Sequence, residues 1–182
     1  MKIVLATPLY PPDVAEPAPY IKELAKHLAD GMHEVTVVAY SYLPEKIPGV
    51  HIVVVNKRKP LLLRLMQYTW LLWRAARTAD VVYAQNGASV ELPAGLITLF
   101  VQCPLVIHIG DTAAHERALV HPIFRCVERF AFKRARTIVT DTPAPRPEIL
   151  PFGPAPTVAQ TTYQKSWEKH MSDLIKTFHY GS

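Results

Sequence analysis

The residues best suited to chemistry cluster in one stretch, HIGDTAAHER. His108 offers an imidazole and Asp111 a carboxylate three positions later, a pair able to hydrogen-bond hydroxyl groups or to shuttle a proton. Gly110 lies between them and belongs to the same candidate surface. A histidine satisfied at a strand end, and an aspartate capping the next helix, are the structural alternatives. His115, Glu116 and Arg117 follow. Positions 111 and 115 share a face if the loop is already helical, so these side chains are candidate contacts to a polar substrate. A metal ion is conceivable there, but no closed ligand set accompanies it, and a solvated helix start explains the same residues.

Two further groups are candidate binding residues. Gln85, Asn86 and Gly87 place two amides and a turn-permitting glycine in succession; amides read hydroxyls, although Asn-Gly also makes turns unaided. Tyr10, Asp13, Glu16 and Tyr20 occupy or flank the loop PLYPPDVAEPAPY. The tyrosines offer faces for stacking on a ligand or for packing, and Glu16 suits the positive end of a helix dipole.

These residues need a scaffold that gathers them. Apolar runs at Lys2–Thr7, Glu34–Tyr40, Val50–Val55, Asp80–Ala84, Pro104–Ile109 and Arg136–Thr140 read as strands. Between them, amphipathic spacing predicts helices at 20–29, 61–78, 89–100 and 121–135, with Gly31 placed to cap the first. Pro93 is expected in the first turn of its helix. Short apolar strands alternating with helices call for a mostly parallel sheet covered on both faces. The expected fold is therefore a single α/β, Rossmann-like three-layer sandwich of six strands in the order 3-2-1-4-5-6. Ligands in such sheets bind beyond the carboxyl ends of the strands, which directs attention to loops 8–19, 85–90 and 109–117.

With 182 residues, the chain has room for one α/β domain and an appendage. The domain is expected to span 1–141. Residues 142–161 read as a proline-rich linker: 142–157 hold six of the seventeen prolines, which excludes helix and favours a stiff, extended segment. Residues 162–182 read as a C-terminal helix, with Trp167, Met171, Leu174, Ile175 and Phe178 on one side, that docks back on the domain. Hydrophobic residues form 49% and charged residues 19% of the chain, which excludes a disordered protein. The net charge of +5 permits an anionic partner without choosing one. No signal-peptide core or spanning segment is evident, and Cys103 and Cys126 read as reduced thiols, so a cytoplasmic location is expected.

In this order the motifs resemble the family-4 glycosyltransferases of the GT-B type, over residues 1 to about 143. MKIVLATPLYPPD and YIKELAKHLAD are similar to that family's opening. DVVYAQNG and PLVIHIGDTAAHERA are similar to its fourth and fifth strands with the loops that follow, and FRCVERFAFKRARTIVTDTP to its last helix and strand. ILPFG resembles its interdomain linker, and SWEKHMSDLIKTF its crossing C-terminal helix. The resemblance implies a retaining transfer of sugar from a nucleotide-sugar donor to a glycan or lipid-linked acceptor, without a permanent cofactor. It also implies that His108 reaches the donor sugar.

Two departures from the family pattern stand out. The family's donor domain has no counterpart between the linker and the crossing helix. The first loop has Ala15 and Glu16 where a glycine pair would let backbone amides approach a diphosphate. One function class is thus a minimal glycosyltransferase completed by a partner chain or a second copy, and homodimerisation is expected. The other is a non-catalytic module that binds an acceptor or a partner. Lys57, Arg58, Lys59 and Arg64, leading into a helix with Trp70 and Trp73, suit peripheral contact at the inner face of a membrane, and equally suit an ordinary crossover helix. A nucleic-acid partner is not expected, because no basic and aromatic interleaving tracks a groove. The lack of GxGxxG after the first strand counts against a dinucleotide oxidoreductase.

Overall fold

The computed structural model describes residues 1–15, 17–141, 156–164 and 166–179. Its strands are β1 (Lys2–Thr7), β2 (Glu34–Tyr40), β3 (Val50–Val55), β4 (Val81–Gln85), β5 (Leu105–Ile109), β6 (Thr137–Thr140) and β7 (Thr157–Gln160). Its helices are α1 (Ala18–Asp30), α2 (Leu61–Ala76), α3 (Ala88–Ile97), α4 (Thr112–Val120), α5 (Pro122–Arg134) and α6 (Trp167–His179). All seven strands run parallel in the order β3-β2-β1-β4-β5-β6-β7, the expected Rossmann-like α/β sheet with one strand added.

The pleat of β1 shows how the layers arise. Ile3 and Leu5 point to one face and pack with α1 and α6, whereas Val4 and Ala6 point to the other and pack with α2, α3 and α5. Burial on both faces is why the central strands read as unbroken apolar runs. Along α1 the stripe Ile21, Leu24, Ala25 and Leu28 is buried. The left-handed residue that ends this helix is Met32 (φ 64°), one position after the glycine.

Three features depart from the expected elements. The seventh strand, β7, was expected to be linker; TVAQ pairs with β6 in parallel register, Thr137 opposite Thr157. It is an edge strand and mostly exposed, so it carries no apolar pattern. A separate helix, α4, precedes α5, and the chain turns at His121 before Pro122 starts the second helix. Pro93 sits inside α3 rather than in its first turn. Proline cannot donate to the carbonyl of Ser89, and the Tyr40 hydroxyl donates to that oxygen instead, at 3.0 Å. Gly95 lies where α3 and α5 meet: a Cβ there would come within 2.6 Å of the Phe130 ring.

On the opposite face α6 buries His170, Leu174 and Phe178, a stripe at four-residue spacing. Leu174 and Phe178 pack with residues of the β-sheet and α1, on the face expected to dock on the domain. Glu16, a candidate binding residue, and most of the proline-rich segment lie outside the described residues.

Candidate functional site

The carboxyl ends of β4, β5 and β6 present Gln85, His108 and Asp141 side by side. The His108 ring is 1% exposed. Its Nε2 lies 2.7 Å from Asp141 Oδ1 and its Nδ1 lies 3.0 Å from Gln85 Oε1. A carboxylate only accepts, so the Nε2–H donates to Asp141; in the neutral imidazole Nδ1 is then an acceptor. Rotating the Gln85 amide by half a turn brings its N–H₂ to Nδ1. That rotation also gives a partner to Gln85 Nε2, which is buried and otherwise without one among the described residues.

The ring is clamped face-on as well. Tyr20, from the first turn of α1, stacks on it with centroids 4.8 Å apart, and Tyr83 from β4 stacks at 5.6 Å. The Tyr20 hydroxyl lies 2.8 Å from the Tyr83 hydroxyl and 2.9 Å from His170 Nε2, and His170 Nδ1 lies 3.0 Å from Thr161 Oγ1. Burial, aided by the facing His108, pulls the His170 pKa down to about 4, so this imidazole is neutral at pH 7. Burial, with Tyr20 alongside, pushes the Tyr83 phenol well above its ordinary range.

These groups wall a cavity of about 310 Å³. Tyr20, Gln85, His108, Gly110, Asp141 and Tyr163 line it, with Pro17, Ile109, Thr112 and Gln164 completing the rim. Acceptors, an amide and two aromatic rings around a space of this size match the shape and polarity of a hydrated ring rather than a purely apolar ligand. Gly110 is small for a reason: a Cβ there would approach His108 Cε1 to 2.8 Å.

Of the residues singled out in the sequence, Tyr20, Gln85, His108 and Gly110 line this cavity. Others hold its frame. Asp111 caps α4 by accepting from the Ala114 N–H at 3.0 Å. Asn86 clips its backbone from both sides, donating to Asp111 O at 2.6 Å and accepting from Asp111 N at 2.9 Å. Gly87 takes φ +127° at the start of α3, a left-handed value that favours glycine. Tyr10 is fully buried and donates to Glu45 O at 3.2 Å; burial raises its phenol to about 12. Asp13 forms an ion pair with Lys57. Glu116 and Arg117 lie exposed on α4, where Arg117 Nε donates to Ala113 O at 3.0 Å.

His115 turns inward to Glu128 of α5, with Nδ1 2.6 Å from Oε1. That hydrogen bond raises the imidazole's pKa against the opposing effect of burial. Nearby, Glu91 is 3% exposed, and burial together with Glu128 pushes its carboxyl up to about 8. Among the described residues no group of three His, Cys, Asp or Glu side chains is placed to hold a metal ion.

Asp141, Thr112, Tyr163, Gln164 and Pro17 were not singled out from the sequence. Asp141 had a signal, since it directly follows the sixth strand and the carboxyl-edge rule applies to it as to His108. Tyr163 had none, because it arrives from a segment that folds back over a long distance.

Prolines shape the start of α1 next to the first loop. Pro17 caps α1 and Pro19 is its second residue, so neither has an N–H, and the Ala18 N–H donates to Ala15 O at 3.0 Å.

Residues 16–161 match the family model described as "Glycosyl transferase 4-like domain". Comparison with curated proteins gives no match. Among solved structures, a sucrose-phosphate synthase from Thermosynechococcus elongatus superposes with a TM-score of 0.66 at 11% identity, covering 97% of each chain. That likeness is one of fold. The C-terminal domain of the coenzyme A biosynthesis bifunctional protein CoaBC gives a TM-score of 0.41 at 12% identity, over 65% of this chain and 68% of the other.

Proposed function

Since the chain belongs to the glycosyl transferase 4-like domain family, we propose that it works on a sugar held in the cavity at the carboxyl ends of β4, β5 and β6. The observation that carries this reading is His108, fixed between Gln85 and Asp141 and stacked on Tyr20. Asp141 is the acceptor for a sugar hydroxyl, His108 keeps that carboxylate oriented, and the Tyr20 and Tyr163 rings bound the apolar face of the sugar. The donor class is a nucleotide sugar and the acceptor a glycan or a lipid-linked sugar. Pro17 and Pro19 take two N–H groups away from the start of α1, and in this reading the diphosphate contacts come from a partner chain or a second copy.

Calorimetric titration with nucleotide sugars, and with the corresponding free sugars, tests the assignment. Binding is expected to weaken about tenfold or more in Asp141→Asn and His108→Ala, the scale of losing a hydrogen bond to a charged group. No heat with any sugar or nucleotide sugar, or unchanged affinity in both variants, would overturn it.

A second reading, a binding module without transfer activity, draws on the same proline-blocked loop. The two separate cleanly: product formed from donor and acceptor, and lost in Asp141→Asn, excludes the module, whereas binding without turnover under any acceptor supports it.

A further inference from the structure

We infer that the helical layer of α2, α3 and the α4–α5 corner lies against an anionic lipid bilayer, with acyl chains entering the groove between α2 and α3. The inference does not depend on the sugar site. Leu62, Met66, Trp70 and Trp73 from α2 face Leu96 and Phe100 across a groove of about 790 Å³. Met66 is 69%, Trp70 52% and Phe100 76% exposed. A contiguous apolar surface of this kind marks an interaction site rather than an ordinary solvated face.

Charge identifies the occupant. Residues 57–79 contain six cations (Lys57, Arg58, Lys59, Arg64, Arg74 and Arg77) and no carboxylate. The only acid on α3, Glu91, is buried. Arg74 and Arg77 lie over the Trp70 and Trp73 rings at 5.7 and 5.1 Å. Indoles with cations beside them favour the boundary between headgroups and acyl chains.

The α4–α5 corner repeats the pattern independently. Val120, Ile123 and Phe124 are exposed there; Arg117 and Arg125 supply cations, and the exposed carboxylate beside them is Glu116, one position before Arg117. An apolar surface rimmed by cations fits anionic headgroups above acyl chains. A second copy fits worse, because a two-fold interface would set the same cationic rims against each other. No helix among the described residues is long and apolar enough to cross a membrane, so the contact is one of lying on the surface.

Co-sedimentation with vesicles, in the absence of any sugar, tests this apart from the catalytic reading. Vesicles of phosphatidylcholine with phosphatidylglycerol should bind the protein, and phosphatidylcholine alone or high salt should weaken binding about tenfold or more. The double variants Arg58→Glu/Lys59→Glu and Met66→Glu/Trp70→Glu change exposed residues only; each should weaken vesicle binding about tenfold or more with the thermal midpoint unchanged. The inference is overturned if no vesicle binds, if neutral vesicles bind equally, or if both folded variants bind like the parent. It is also overturned if light scattering shows a dimer that Trp70→Glu disrupts, or if an acidic polypeptide is bound in preference to vesicles.

Discussion

At the scale of single residues, the site shows how close packing substitutes for covalent rigidity. His108 is held by two in-plane hydrogen bonds and by rings stacked on its face, and Gly110 leaves room for the imidazole edge. Gly110→Ala puts a methyl where His108 Cε1 lies 2.8 Å away. The ring must shift, and the Asp141 hydrogen bond lengthens. Sugar affinity is expected to fall roughly tenfold, read by calorimetry, with a loss of stability of about 1–3 kcal/mol typical of overpacking.

Glu91 makes a different prediction at this scale. Its carboxyl holds its proton up to about 8 in the folded chain against an ordinary value of 4.5. Because the folded state binds that proton more tightly than the unfolded one, stability is fully present below 4.5 and is lost as pH rises towards about 8. Glu91→Gln removes the titration while keeping the shape. It should stabilise the protein by on the order of a few kcal/mol above pH 8 and by little near pH 4, as read from denaturant midpoints.

At the scale of elements, α3 is the least orthodox helix and the most instructive. It tolerates Pro93 because Tyr40 supplies the missing donor, and it crosses α5 closely because Gly95 has no side chain. Gly95→Ala would normally favour a helix, yet here the methyl meets Phe130 at 2.6 Å. Packing outweighs propensity, and the variant is expected to unfold at lower denaturant by about 1–3 kcal/mol.

The same contrast explains what could be read from the amino-acid order. Strands buried on both faces, such as LVIHI and the VVYA of β4, are legible because their environment demands largely apolar runs. β7 is not, since an exposed edge strand makes no such demand. The split between α4 and α5 is written locally in Asp111 and Pro122, whose roles as cap and first-turn residue emerge only once the turn at His121 is known. Within the site, His108, Gln85 and Gly110 follow from the rule about strand ends. Asp141 obeys that rule too, but as the last residue of the expected domain, beside a proline-rich stretch, it was not read as part of the site. Tyr163 depends on tertiary folding alone.

At the scale of the whole molecule, two helical layers serve different ends. The α2–α3–α5 layer presents apolar and cationic surface outward, whereas the α1–α6 layer turns its aromatic residues in upon the cavity. His170 joins the second layer to the site, facing Tyr20, Thr161, His108, Asp141 and Asp173. Its depressed pKa means the folded state disfavours protonation. The stability it contributes is therefore intact above pH 6.5 and lost as pH falls towards about 4. Tryptophan emission from Trp167, which packs edge-on to His170, should report loosening of α6 over that interval. The acid-sensitive step, roughly 1–3 kcal/mol, should flatten in His170→Gln.

Tyr163 and Gln164 wall the cavity and sit just ahead of α6. One short connection thus belongs both to a helix's mooring and to a ligand's enclosure, which makes the two thermodynamically reciprocal. A molecule that fits snugly there would hold α6 in place, and whatever unseats α6 would weaken the grip on that molecule by the same factor.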